Sequence, residues 1–160
     1  MSDLDEPMKQ EIMIDVVPGP IRVLIVDDNA AVRSALATFL LAFDDLEPVG
    51  EAASGQDAID LCLHAQPNVV LMDLAMPGMG SAAAIRAIRS RWPQVQVIAL
   101  TTFQDIDLAR EAVEAGAICC LLKNVSADEL AEAIRAAHTS PLGPPAMAVP
   151  WTSVTSDPRC

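Results

Sequence analysis

Five residues that could do chemistry each follow a short apolar run. Carboxylates follow two of these runs, a threonine follows a third and a lysine follows a fourth. They are Asp27 with Asp28, Asp73, Thr101 and Lys123. Carboxylates brought into one pocket repel each other unless a cation lies among them or one acid takes up a proton. Taken singly, the acids could equally be helix caps or turn residues, the threonine an ordinary strand residue and the lysine a solvated loop charge.

The apolar runs predict the elements that position these residues. In residues 69–72, four apolar residues precede Asp73, and Pro77 and Gly78 then turn the backbone, which predicts a buried strand that ends in an acid. Runs at 21–26, 47–53, 69–72, 95–100 and 118–122 predict five strands. Helical spacing and capping signals predict helices from Asn29 to about 43, at 56–66, at 82–91, from about 105 to 115, and from Ser126 to about 138.

Five strands that alternate with five helices predict an α/β domain with a doubly wound, parallel five-stranded sheet. In an open sheet of this kind, ligands bind outside the carboxyl ends of the strands, where the strand order reverses. In the order 2-1-3-4-5, strands one and three are neighbours at that point, so the three carboxylates converge on one pocket. The separate explanations of each residue would then require four coincidences at one edge.

Length and composition restrict the class of protein. The 160 residues fit one domain with tails: an acidic flexible leader at 1–20, a globular unit at 21–140 and a proline-rich linker or tail at 141–160. Ten Lys and Arg against 22 Asp and Glu give a net charge of −12, which opposes direct nucleic-acid or membrane binding. Without an apolar run long enough to span a bilayer or a basic signal opening, a cytoplasmic protein is expected.

Residues 21 to about 137 resemble the receiver domain of bacterial two-component response regulators. The acidic pair, an Asp-x-x-Met-Pro motif at 73–77, Thr101 and Lys123 occur in the family's order at the ends of the expected strands. The stretch 115–130 is most similar to the NarL/FixJ-type branch. The resemblance implies the flavodoxin-like (βα)5 fold and a phosphorylation-controlled signalling module. Such a module is not an enzyme, because it catalyses at most its own phosphoryl transfer and dephosphorylation.

The resemblance also implies a role for each site residue. Asp73 would be the phosphoacceptor and would also contribute to the Mg²⁺ site. Asp27, Asp28 and the backbone carbonyl of Ala75 would be further Mg²⁺ ligands. Thr101 would bind the phosphoryl group and act as the switch, and Lys123 would stabilise its charge. The implied partners are a histidine kinase or histidine phosphotransfer protein, with homodimerisation on phosphorylation as an option. Two arrangements are open: a stand-alone receiver, or a receiver whose output domain, absent from this chain, would regulate transcription.

Two departures and two alternatives accompany this interpretation. Many receivers carry an aromatic residue three positions before the lysine, whereas this chain has Cys120 there, so coupling through an aromatic rotamer is not expected. Gly80-Ser81 stands where the family often has Asp-Gly. A phosphatase or phosphotransferase that uses an aspartyl phosphate would need an Asp-x-Asp motif, but Leu74-Ala75 follows the acceptor. A degenerate receiver that acts by protein contact alone would not need the intact set of acids, threonine and lysine.

Overall fold

A computed structural model of the chain describes residues 19–76, 78–102 and 105–139. Residues 1–18 of the predicted leader, Pro77 and the predicted tail at 141–160 lie outside the described residues. The strands are β1 (Ile21–Val26), β2 (Leu46–Ala52), β3 (Val69–Asp73), β4 (Gln96–Thr101) and β5 (Cys119–Leu122). The helices are α1 (Ala30–Leu41), α2 (Gly55–Ala65), α3 (Ser81–Arg91), α4 (Ile106–Ala115) and α5 (Ala127–Thr139).

The five strands form one parallel sheet of order β2-β1-β3-β4-β5, which confirms the predicted topology. Every residue of β3 is buried, because this central strand is covered by helices on both faces. The strand order reverses between β1 and β3. The carboxyl ends of these two strands therefore lie side by side at the switch point, where a ligand site is expected.

Alternate side chains of the sheet enter two separate hydrophobic cores. One face of the sheet packs against α2, α3 and α4, and the other packs against α1 and α5. The adjacent residues Cys119 and Cys120 accordingly lie in different cores. Each fully buried aliphatic side chain contributes about 1.5–3 kcal/mol, so the two cores hold the carboxyl edge of the sheet in a fixed shape. None of the described helices is long and apolar enough to cross a membrane.

Two helices begin with the caps that the sequence predicts. The Asn29 side chain accepts hydrogen bonds from the backbone N–H groups of Ala31 and Val32, at 2.8 and 3.2 Å, at the start of α1. At α5, the Ser126 hydroxyl accepts from the Glu129 N–H at 3.1 Å, and the Glu129 carboxylate accepts from the Ser126 N–H at 3.0 Å. This reciprocal capping box fixes the chain shortly after Lys123.

The structure differs from the sequence-based expectation in element ends and in two apolar side chains. Asp73 and Thr101 are the last residues of β3 and β4 rather than the residues that follow them. Phe39 and Leu63, which occur at helical spacing with the other apolar residues of α1 and α2, are 43% and 60% exposed. In sequence they adjoin Leu40 and Cys62, which are buried in the two cores.

We predict that Gly116→Ala destabilises the domain. Gly116 ends α4 with φ +124°, and a Cβ added there would lie 2.9 Å from Cγ of Arg89. Backbone strain of this kind costs about 1–3 kcal/mol, so we expect the free energy of unfolding to fall by about 2 kcal/mol in a urea titration followed by circular dichroism. Gly19→Ala, where an added Cβ meets no atom within 4 Å, is the control and should leave the midpoint unchanged. Equal midpoints for Gly116→Ala and wild type would contradict the prediction.

Candidate functional site

Three carboxylates meet where β1 and β3 end. Asp27 and Asp28 directly follow β1, and Asp73 is the last residue of β3. One carboxylate oxygen from each residue lies within 4.8 Å of the others. Asp27 and Asp73 are 1% and 2% exposed, whereas Asp28 is exposed. The structure therefore brings together the three acids that the sequence placed at one edge.

Lys123 supplies the positive charge of this cluster. Its Nζ lies 2.8 Å from Oδ1 of Asp73 and 3.6 Å from Oδ2 of Asp27. Partial burial opposes the charged ammonium, but the hydrogen bond and charge of Asp73, together with Asp27, outweigh it and raise the pKa of Lys123. The Lys123 backbone N–H donates to the Thr101 carbonyl at 2.9 Å, which ties the lysine to the end of β4.

Asp27 is the acid whose environment opposes its charge most clearly. Burial raises the pKa of its carboxyl group. A hydrogen bond from the Asn29 N–H to Oδ1, at 2.9 Å, opposes this shift, while the neighbouring charge of Asp73 adds to it. Oδ2 of Asp27 is buried and accepts no hydrogen bond from the described part of the chain.

The chemistry of this donor set fits a hard divalent cation. Buried carboxylate oxygens normally have partners, and a buried oxygen without a hydrogen bond in a cluster with two further carboxylates is suited to a metal ion. Mg²⁺ prefers oxygen ligands and is usually bound through one or two carboxylates while it keeps several waters. Asp27 and Asp73 offer buried carboxylates for this purpose, and exposed Asp28 adds a third at the side open to water.

The backbone around Asp73 is fixed by two contacts. Its Oδ1 accepts a hydrogen bond from the Ala75 N–H at 3.2 Å, and its carbonyl accepts one from the Ser81 hydroxyl at 2.8 Å. Ser81 is buried and is the first residue of α3. The sequence marks Ser81 only as a departure from the family pattern in this loop and does not predict the contact. A small polar residue at the start of a helix is the one signal in the sequence, and it does not indicate that the Asp73 carbonyl is the acceptor.

Thr101 and Cys120 lie on the neighbouring strands. Thr101 is 1% exposed, and its hydroxyl donates to the Thr102 carbonyl at 3.3 Å. Cys120 pairs with Ala99 of β4 and is 7% exposed. Its thiol donates to the Ala109 carbonyl of α4 at 3.5 Å, and burial raises its pKa to about 12. The position that lacks the usual aromatic residue is therefore filled by a small side chain that contacts α4.

The fold and this cluster define a signalling receiver, and comparison with known proteins agrees. The profile of the response regulator receiver domain matches residues 23–135. The chain belongs to the response regulator receiver domain family. It is 44% identical over 117 residues to the transcriptional regulatory protein LiaR of Bacillus subtilis, covering 73% of this chain and 56% of LiaR. It is 38% identical over 115 residues to the response regulator VraR of Staphylococcus aureus, covering 72% of this chain and 55% of VraR.

A solved structure shows the same fold. The signal receiver domain of NarL from Mycobacterium tuberculosis superposes with a TM-score of 0.72 at 28% identity, covering 77% of this chain and 99% of the NarL domain. The expected resemblance to the NarL-type branch is confirmed by these relatives. This chain spans about half the length of LiaR and VraR.

We predict that Asp27→Asn stabilises the domain when metal is removed with EDTA. The folded carboxyl has a raised pKa, so its charge destabilises the fold at neutral pH, and this loss is relieved as the pH falls through the folded pKa towards 3.8. The amide keeps an oxygen that can accept from the Asn29 N–H. Urea titrations should give a higher free energy of unfolding than wild type near pH 7 and a smaller difference near pH 4. Asp28→Asn, at an exposed position, should change stability less; a destabilised Asp27→Asn protein near pH 7 would contradict the prediction.

We also predict that Cys62 and Cys120 resist alkylation in the folded protein. Burial raises the pKa of Cys62 to about 11 and that of Cys120 to about 12. At pH 8 the Cys120 thiol is then almost entirely protonated, and the thiolate is the reactive form. Iodoacetamide followed by peptide mapping should leave both residues unmodified in buffer and modify both in urea. Rapid modification of Cys120 in buffer would show that this thiol is reactive rather than part of inert packing.

Proposed function

We propose that Asp73 accepts a phosphoryl group and that the domain switches a protein-interaction surface in response. The observation that carries this proposal is the 2.8 Å contact between Lys123 Nζ and Asp73 Oδ1 inside a cluster of three carboxylates. A buried nucleophile held against a cation, next to two further carboxylates, is suited to phosphoryl transfer, where positioning and charge stabilisation supply most of the catalysis.

The carboxylate oxygens of Asp73 have different roles in this proposal. Oδ1 already binds the Lys123 ammonium and the Ala75 N–H, so we assign the attack to Oδ2. An electron pair of Oδ2 forms the new bond to phosphorus, and the bond from phosphorus to the donor nitrogen or oxygen breaks with its electron pair left on the donor. Lys123 then balances the charge of the phosphoryl oxygens, and the Thr101 hydroxyl turns from the Thr102 carbonyl to donate to one of them.

Asp27, Asp28 and Asp73, with the Ala75 carbonyl, are the residues that we propose hold Mg²⁺. When bound, the ion supplies positive charge that neutralises the phosphoryl oxygens during transfer. The unsatisfied Oδ2 of Asp27 supports this assignment, since it is the buried oxygen that lacks a hydrogen-bond partner within the described residues around the cluster. Asp27 and Asp28 orient towards the acceptor from β1, so they would be positioned before the donor arrives.

The proposed phosphodonor is a histidine kinase or a histidine phosphotransfer protein in the cytoplasm. We place the receiver unit at 21–140, with 141–160 as the linker or tail. Because the longer relatives include a protein named as a transcriptional regulator, we propose that this receiver controls an output region that regulates transcription, with homodimerisation as one way to transmit the signal. Phosphatase or phosphotransferase activity on an external substrate is not favoured, because Leu74 and Ala75 provide no second acid after the acceptor.

We predict a single phosphoryl adduct that depends on Asp73. Incubation with acetyl phosphate or phosphoramidate and Mg²⁺ should add one phosphoryl group to the wild-type protein, as measured by intact mass. Asp73→Asn removes the nucleophile but nearly keeps the side-chain volume, so the adduct should disappear. Asp57→Asn is the matched control, because Asp57 is an exposed aspartate on α2, and it should be modified like the wild type. An adduct that persists in Asp73→Asn, or its absence from the wild type, would falsify the proposed function.

A further inference from the structure

Arg33 is a cation at the same edge of the sheet that the proposed chemistry does not use. It lies in the first turn of α1, and its side chain is 18% exposed. Its Nη1 donates to the backbone carbonyl of Asp27 at 2.7 Å, and its Nε donates to Oε1 of Glu51 at 3.2 Å. Glu51 is near the carboxyl end of β2, so one guanidinium joins the ends of two neighbouring strands.

The contact with Arg33 completes the fixation of Asp27. The Asp27 N–H donates to the Ala52 carbonyl at 3.0 Å, and its own carbonyl accepts from Arg33. Both peptide groups that flank the Asp27 Cα are therefore held. The Asn29 N–H holds Oδ1 at 2.9 Å, so the remaining oxygen, Oδ2, is the one directed towards Lys123.

The hydrogen bond from Arg33 to the Asp27 carbonyl also constrains Asp28. The Asp27 carbonyl belongs to the peptide group that links Asp27 to Asp28, and the orientation of this group sets the position of the Asp28 backbone. Rotation of this peptide would therefore move both carboxylates. The ion pair with Glu51 contributes less by itself, because the Glu51 side chain is 44% exposed and exposed pairs are weak. Its role is to keep the guanidinium plane in place.

We propose that Arg33 is a positioning residue that holds the Asp27–Asp28 peptide so that both carboxylates face the acceptor. It acts through the backbone of the acidic pair and does not touch the reacting atoms. This inference rests on the proposed function, because it assigns Arg33 to the metal-binding step of the same site. A planar guanidinium can donate to a carbonyl and to a carboxylate in two directions at once, whereas an ammonium is a point charge on a flexible stem.

The test compares Arg33→Ala and Arg33→Lys with the wild type. Partners that orient metal ligands typically contribute 10- to 100-fold to affinity, so Arg33→Ala should raise the Mg²⁺ dissociation constant about tenfold in a calorimetric titration. In EDTA, the Asn29 N–H should exchange with solvent faster, because the carboxylate that accepts it is no longer held. At saturating Mg²⁺, phosphorylation by acetyl phosphate should return towards the wild-type rate. The Mg²⁺ dissociation constant and the Asn29 exchange rate of Arg33→Lys should lie between those of the wild type and Arg33→Ala. Wild-type values in Arg33→Lys would show that donation in two directions is not needed.

Arg135→Ala is the matched control. Arg135 makes a similar pair with Asp45, at 2.8 and 3.0 Å. Asp45 directly precedes β2, so this pair lies at the amino ends of the strands, away from the candidate site. This variant should leave Mg²⁺ affinity and Asn29 exchange unchanged. If Arg33→Ala binds Mg²⁺ as tightly as the wild type and its Asn29 N–H exchanges at the wild-type rate, the inference is wrong. If the wild type neither binds Mg²⁺ nor accepts phosphate, the proposed function fails, while Asn29 exchange in EDTA still decides whether Arg33 holds Asp27.

Discussion

The repulsion among three carboxylates at the junction of β1 and β3 is the constraint on which the rest of this edge depends. Two of the acids are almost completely buried, and charges in such a position need compensation from nearby groups. Lys123 supplies the compensating charge from β5, and backbone N–H groups of Asn29 and Ala75 supply hydrogen bonds. The site therefore depends on groups at the ends of three strands, β1, β3 and β5, and these strands must be assembled before its charges can be accommodated.

The topology and the acids were predictable because their signals are local. Apolar runs, turn residues and caps occur within a few positions of each other, and a parallel sheet then forces the strand ends to one edge. The contacts of Arg33 with Asp27 and of Ser81 with Asp73 were not predictable, because the acceptors are backbone carbonyls, which every residue possesses. The exposure of Phe39 and Leu63 was not predictable for a related reason, because spacing identifies a helix face but does not show how far the core extends across it.

The packing of α4 shows how this receiver accommodates Cys120 where the family resemblance leads one to expect an aromatic side chain. The face of α4 against the sheet consists of alanines, with Ala109 and Ala112 fully buried beside Cys120. Small side chains allow the helix to lie close to β5, and the thiol reaches the carbonyl of Ala109. Interiors packed in this way tolerate little added volume, so the position is fixed by its surroundings rather than held open for a ring.

Because of the strand order, the strands that carry Asp73 and Lys123 differ in how firmly the sheet holds them. Asp73 lies on the central strand β3, which is hydrogen-bonded on both sides, whereas Lys123 follows β5, an edge strand of four residues with one neighbour. Displacing an edge strand disrupts one ladder instead of two. A charge added at Asp73 therefore acts between β3, which is hydrogen-bonded on both sides, and β5, which is hydrogen-bonded on one side. β2 is the other edge strand, but it pairs with β1 at six positions whereas β5 pairs with β4 at four. We therefore expect the strain from such a charge to be released at the β4–β5 side of the molecule.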